Sequence, residues 1–166
     1  MAIGVVSARE EKIVGPNGLG IFVRSWRPDT QARAVVAICH GVNSHSGYYI
    51  WTAERLVERG FAVYALDLPG RGKSDGERFY VESIDEYIQA VDALVDLAKS
   101  REPALPLYLL GHSAGGVTSR RDRRTRTTEF EQIGVEAILE RDGEAVPGAL
   151  VDLQRCVLHD PCRQER

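Results

Sequence analysis

Cysteine is scarce in this 166-residue chain, with three copies at positions 39, 156 and 162. That number and spacing exclude a disulfide framework and any familiar cysteine-based metal site. Cys39 sits inside an apolar run and reads as a small core residue. No apolar run is long enough to span a bilayer. The first eleven residues lack a basic segment followed by an apolar one, so no signal peptide is expected, and a cytoplasmic location is the default expectation. There is no excess of positive charge: 21 Lys and Arg stand against 24 Asp and Glu, for a net charge of -3. General affinity for nucleic acid or anionic membranes is therefore not expected. Lys, Trp and Tyr are all absent after residue 117, although all three occur before it.

What is present is a globular composition, 43% hydrophobic and 27% charged, long enough for one domain with a sizeable core. The most informative stretch is Leu107-Tyr108-Leu109-Leu110-Gly111-His112-Ser113-Ala114-Gly115-Gly116. A short apolar run bounded by Pro106 and Gly111 reads as a buried strand. It runs directly into Gly-x-Ser-x-Gly, the pattern of a nucleophile elbow. The chemistry requires a serine on a sharp strand-to-helix turn, its hydroxyl clear of the sheet, with small residues where helix and strand crowd together. A helix starting just after the serine turns its free N–H groups toward a developing oxyanion.

Upstream, Gly15-Pro16-Asn17-Gly18 is a turn signal, and the segment before it is expected to pair as a hairpin with a strand over Leu19 to Trp26. Ala34 to Cys39 is continuously apolar, as in a strand covered on both faces. A polar loop follows, from His40 to Gly47. Tyr49, Ala53, Leu56 and Val57 then share one helix face, with Gly60 at its C-terminal end. Phe61 to Leu66 is the next buried strand, ending at Asp67 and a turn-rich loop. Ser83 and Glu86 form a capping box ahead of an amphipathic helix that runs to about Ser100. This alternation predicts an α/β fold with a mostly parallel sheet and flanking helices. In such a fold His40-Gly41, Asp67 and Ser113 all lie at the carboxyl ends of strands, where function collects.

Three segments carry a resemblance. His40-Gly41-Val42-Asn43-Ser44-His45-Ser46-Gly47-Tyr48-Tyr49 resembles the oxyanion loop of monoacylglycerol lipases and bacterial lysophospholipases. Asp67-Leu68-Pro69-Gly70-Arg71-Gly72-Lys73-Ser74-Asp75-Gly76-Glu77-Arg78 resembles the loop after their next strand, and Leu110 to Gly116 resembles their elbow. Together they are similar to the α/β-hydrolase fold over residues 10 to 117. The resemblance implies Ser113 as nucleophile, the backbone N–H groups of Val42 and Ala114 as oxyanion hole, and a lipid or other small ester as substrate. It implies no metal and no organic cofactor. His40 is expected to brace the oxyanion loop, because the family's base follows the serine. His112 is expected to pack or hydrogen-bond locally, and His45 to be an exposed loop residue. Asp67, Gly70, Gly72 and Ser74 are expected to hold a turn through side-chain-to-backbone bonds.

After Val117 the pattern breaks. Thr118 to Glu129 is rich in Arg and Thr where the helix after an elbow needs an apolar face. The run has no interleaved aromatics and contains Asp122, so RNA binding is not expected. Phe130, Ile133, Ala137 and Ile138 suggest one helix face, and 149–158 another short helix. No further buried strand is recognised, so the sheet is expected to stop at the elbow strand and leave its edge bare. The triad acid and histidine remain unassigned; His159 follows Ser113, with Asp142 and Asp152 between them. The expected organisation is residues 1–117 as the N-terminal part of a hydrolase domain and 118–166 as an Arg-rich tail, the product of truncation or a reading-frame change. A serine ester hydrolase is the leading expectation. An inactive fragment or interaction module is the alternative, and a peptidase or acyltransferase on the same fold is another.

Overall fold

The computed structural model describes residues 7–116 and Thr118, together with the backbone of Glu131–Val135. Six strands form one sheet: β1 (Arg9–Val14), β2 (Gly20–Trp26), β3 (Ala34–Cys39), β4 (Phe61–Leu66), β5 (Leu107–His112) and β6 (Glu131–Val135). Among the described residues, helices α1 (Ile50–Glu58) and α2 (Ile84–Arg101) accompany it. The strand order is β1-β2-β4-β3-β5-β6. β1 and β2 form the expected antiparallel hairpin, and β2 also runs antiparallel to β4. The remaining pairs, β4 with β3, β3 with β5, and β5 with β6, are parallel.

Alternation along the buried strands assigns each side chain to one of two cores. Val35, Ala37 and Cys39 of β3 join Ala62, Tyr64 and Leu66 of β4 and Leu107 and Leu109 of β5 beneath α2, which contributes Tyr87, Ala90, Val91, Leu94, Val95 and Ala98. Ala34, Val36 and Ile38 join Phe61, Val63, Ala65 and Leu110 beneath α1, with Ala53, Leu56 and Val57. Both cores exist because β3 and β4 are apolar at every position, and β5 is apolar or aromatic from Leu107 to Leu110, as required for a sheet covered on both faces. Each fully buried Leu or Val contributes about 1.5–3 kcal/mol.

The helix ends follow from local chemistry. Ser83 caps α2, but its hydroxyl accepts from the Asp85 N–H, and Glu86 turns to Asn17 Nδ2. The reciprocal Ser83–Glu86 box expected from sequence is thus replaced by a cap plus a bridge to the β1–β2 turn. Asp85 and Glu86 in the first turn and Lys99 and Arg101 in the last complement the helix dipole.

The expectation that the sheet stops at β5 is corrected. Glu131–Val135 lies parallel to β5, pairing Tyr108 with Glu131 through to His112 with Val135. The spacing of Phe130, Ile133, Ala137 and Ile138 suggests a helix, but Ile133 and Val135 are β-branched and two apart, and an open strand edge offers a row of unpaired backbone groups. Phe130, Ala137, Ile138, the 149–158 segment and the Arg-rich run after Thr118 lie outside the described residues.

Candidate active site

The chain passes from β3 through α1 to β4 on one side, then returns through α2 to β5 on the other side of β3. The carboxyl ends of β3 and β5 therefore flank the point where the connections diverge, the usual place for a ligand crevice in an open α/β sheet. Cys39 and Gly111 are partners in the last step of that parallel pair.

Ser113 follows β5 directly. Its φ is +55°, a left-handed conformation that costs a non-glycine residue about 1–2 kcal/mol. Helical backbone begins at Ala114, with the Gly116 N–H bonded to the Ser113 carbonyl and the Thr118 hydroxyl to the Ala114 carbonyl. The turn is so tight that a Cβ on Gly115 would stand 2.2 Å from the Cys39 oxygen and 2.6 Å from the His40 oxygen. A Cβ on Gly111 would meet the Gly115 and Gly116 backbone at 2.6–2.7 Å. The two glycines are thus fixed by backbone crowding, one against β3 and one against the new helix.

The loop after β3 lies against this turn. A Cβ on Gly41 would stand 3.2 Å from Ser113 Cβ and 3.3 Å from His112 Nδ1. Val42 is 44% exposed beside it. The structure therefore brings Ser113, Ala114 and the Gly41-Val42 turn to one place. His112 is exposed there, and half-buried His45 caps the short helical turn at Ser46 by accepting the Gly47 N–H while tilting against Tyr48. His159, Asp142 and Asp152 lie outside the described residues, and among the described residues no His/Cys/Asp/Glu cluster suited to a metal ion occurs.

His40 is fully buried and ties two strand-end loops together. Its Nε2 accepts the Leu68 N–H at 2.9 Å, so Nδ1 carries the proton and donates to the Gly41 carbonyl at 2.6 Å. Burial pushes its pKa below the usual 6.5. The unfolded chain therefore takes up the proton first. The stabilisation is complete above about pH 6.5 and is lost as pH falls from there through the folded-state pKa. Urea-denaturation midpoints are expected to drop between pH 7.5 and 5.5, with part of that slope absent in His40→Gln. The lowered carboxyl pKa values of Glu10, Glu11 and Asp75, held down mainly by Lys73, Arg101 and Lys12 respectively, act at lower pH and leave this window clear.

Asp67 organises the opposite rim. Its carboxylate accepts the Ser46 N–H at 2.6 Å and the Lys73 N–H at 2.8 Å, joining the β3 loop to the β4 loop. The Ser74 hydroxyl donates to the Asp67 carbonyl and accepts the Phe22 N–H. Asp67→Ala orphans two N–H groups and is expected to cost about 2–6 kcal/mol, at roughly 1–3 for each; Asp67→Asn keeps one acceptor and should cost less, both read from unfolding midpoints. Sequence reading missed two residues here. Ser46 is completely buried and receives Arg24 Nη1 at 2.8 Å, and Arg71 is buried with Nε on the Val42 carbonyl at 2.6 Å. A serine and an arginine inside polar, glycine-rich loops carry no periodic signal that predicts burial.

The Cys39 thiol, close to the elbow, is pushed up to about 12 by burial and is inert. No helix of the described residues is long and apolar enough to cross a membrane.

Comparison with known proteins fits this geometry. The monoacylglycerol lipase of Mycolicibacterium smegmatis is 39% identical over 107 residues, which is 64% of this chain and 38% of that protein. The human monoglyceride lipase is 36% identical over 104 residues, 63% of this chain and 34% of the relative. The chain thus spans little more than a third of the length of these relatives. A thermostable carboxyl esterase from Bacillus coagulans, solved with glycerol, superposes with a TM-score of 0.71 at 23% identity, covering 77% of this chain and 44% of that one. The family model described as serine aminopeptidase, S33, matches residues 30–130. That match spans the His40–Gly47 loop, the Asp67 loop and the turn at Ser113, and the chain belongs to this family of α/β-hydrolases.

Proposed function

We propose that this chain carries the nucleophile-bearing part of a serine hydrolase that cleaves carboxylic esters of the monoacylglycerol or lysophospholipid type. The observation that carries the proposal is the placement of the Gly41-Val42 turn against Ser113 at the carboxyl ends of adjacent parallel strands. In this reading Ser113 Oγ attacks the ester carbonyl, and the N–H groups of Val42 and Ala114 hold the oxyanion. The ester C–O bond breaks, the glycerol-type alcohol leaves with a proton, and water then releases the fatty acid from the acyl-serine. The lipase names of the relatives support the substrate class. The test is fatty-acid release from 1-monooleoylglycerol and lysophosphatidylcholine beside p-nitrophenyl butyrate. Hydrolysis of the p-nitrophenyl ester alone would reject the lipid assignment.

The family's description favours a second reading, peptide-bond hydrolysis from an N-terminus. Aminoacyl p-nitroanilides separate the two, since cleavage of these with no cleavage of lipid esters would select the peptidase. Residues 1–117 are proposed as the N-terminal part of the hydrolase domain. Residues 118–166 are proposed to be an Arg-rich tail left by truncation or a reading-frame change, on the abrupt loss of Lys, Trp and Tyr together with the Arg-rich run. Translation of the gene in the other two frames tests the frame change: absence of an apolar helix followed by buried strands, an Asp loop and a His loop in both would reject it.

A further inference from the structure

We propose that Arg71 is a positioning residue that holds the Gly41–Ser44 turn, and with it the N–H of Val42, in one orientation beside Ser113. This rests on the reading of Val42 as an oxyanion donor. Arg71 lies in the loop after β4, only 6% exposed despite its charge. Its Nε donates to the Val42 carbonyl at 2.6 Å and its Nη1 to the Gly70 carbonyl at 3.3 Å. Its guanidinium carbon sits 4.9 Å from the centre of the Phe79 ring. Phe79 itself stands at φ +63°, a conformation a bulky residue adopts only when its surroundings require it. Burying a guanidinium is costly, and here it serves two backbone carbonyls and an aromatic face.

The geometry gives that arrangement a purpose. The Gly41 carbonyl and the Val42 N–H belong to one planar peptide, so fixing the carbonyl fixes the N–H. His40 Nδ1 holds that carbonyl from one side and the Ser44 N–H, at 3.2 Å, from another. The next peptide plane begins with the Val42 carbonyl, and Arg71 holds it. Both planes flanking Val42 are thereby anchored, one by His40 and one by Arg71. Packing does not do this work, since Val42 and Asn43 are both exposed. An oxyanion donor is effective only when it is oriented before charge develops, so a loosened second plane should slow chemistry without altering the elbow itself.

The experiment compares wild type, Arg71→Ala and Arg71→Lys of the 166-residue chain. It reads the rate of fluorophosphonate capture at Ser113 by peptide mass and amide hydrogen exchange by NMR. Arg71→Ala is expected to slow capture about tenfold or more and to speed exchange of the Ser44 N–H about tenfold, with α2 core amides unchanged. Methylguanidinium should restore much of the capture rate in Arg71→Ala and leave wild type unaffected. Arg71→Lys keeps the charge and the stem but lacks the planar fork, so it should remain folded yet capture slowly. Unchanged capture or unchanged Ser44 exchange in Arg71→Ala would overturn the proposal. If that variant fails to fold, wild-type capture by Arg71→Lys would overturn it. Absence of any adduct at Ser113 in wild type would instead reject the hydrolase reading, and the exchange data would still decide whether Arg71 holds the turn.

Discussion

In a full-length protein that carries this N-terminal part, Ser113→Ala is expected to lower p-nitrophenyl ester hydrolysis by about 10^4- to 10^6-fold. In the proposed mechanism, removing Oγ deletes the attacking atom, whereas the Val42 and Ala114 N–H groups remain and supply only transition-state binding. The left-handed backbone at Ser113 tolerates alanine as well as serine, so the variant should unfold at the same denaturant concentration as its parent. Equal stability with collapsed turnover is the expected pair of results, measured by initial rates and urea titration. Retained turnover would remove Ser113 from the chemistry. In the 166-residue chain itself turnover is expected to be low from the outset. No general base is assigned among the described residues, and a serine hydroxyl without one is a poor nucleophile at neutral pH.

Gly115→Ala should be among the most destabilising single-methyl additions in the chain, whereas Gly116→Ala next to it should be nearly neutral. At Gly115 the new carbon would fall 2.2 Å from the Cys39 oxygen and 2.6 Å from the His40 oxygen. Both are backbone atoms at the end of a central strand, with no flexible side chain to yield. Relief therefore requires moving β3 from β5 or lifting the elbow helix, for about 3 kcal/mol, at the upper end of the usual range for overpacking. The same displacement would carry Ser113 away from the Gly41-Val42 turn, so activity should fall with stability. At Gly116 the nearest atoms of the described residues lie at 3.5 Å, ordinary contact, and alanine favours helix by up to about 1 kcal/mol. Thermal unfolding of the two variants side by side checks the contrast. Equal behaviour would mean that helix and strand are not packed as described.

Much of this architecture was legible because buried parallel strands write themselves plainly. Ala34 to Cys39 and Phe61 to Leu66 are apolar at every position, and both strands begin and end at those residues. The elbow was legible for a different reason: a strained serine between crowding glycines leaves few residue choices, and the pattern survives as Gly111-x-Ser113-x-Gly115. His40 as a brace followed from its position ahead of Ser113, and it does tie the loops after β3 and β4 through the Gly41 carbonyl and the Leu68 N–H. The reach of Arg71 and Ser46 was not legible, because the partners of a loop side chain depend on where a distant loop returns. β6 was missed because Glu131 to Val135 is short and half polar, and its pairing is set by the open edge of β5 more than by its own propensity.

The proposed reaction turns on one hydroxyl, and covalent capture reads its chemistry directly. The 166-residue chain is incubated with a fluorophosphonate at neutral pH and digested, and the adduct is located by peptide mass. A single adduct at Ser113, formed slowly and abolished in Ser113→Ala, is the predicted result. Modification at any other residue, or capture that persists in Ser113→Ala, would contradict the assignment of the β5 elbow as the nucleophile.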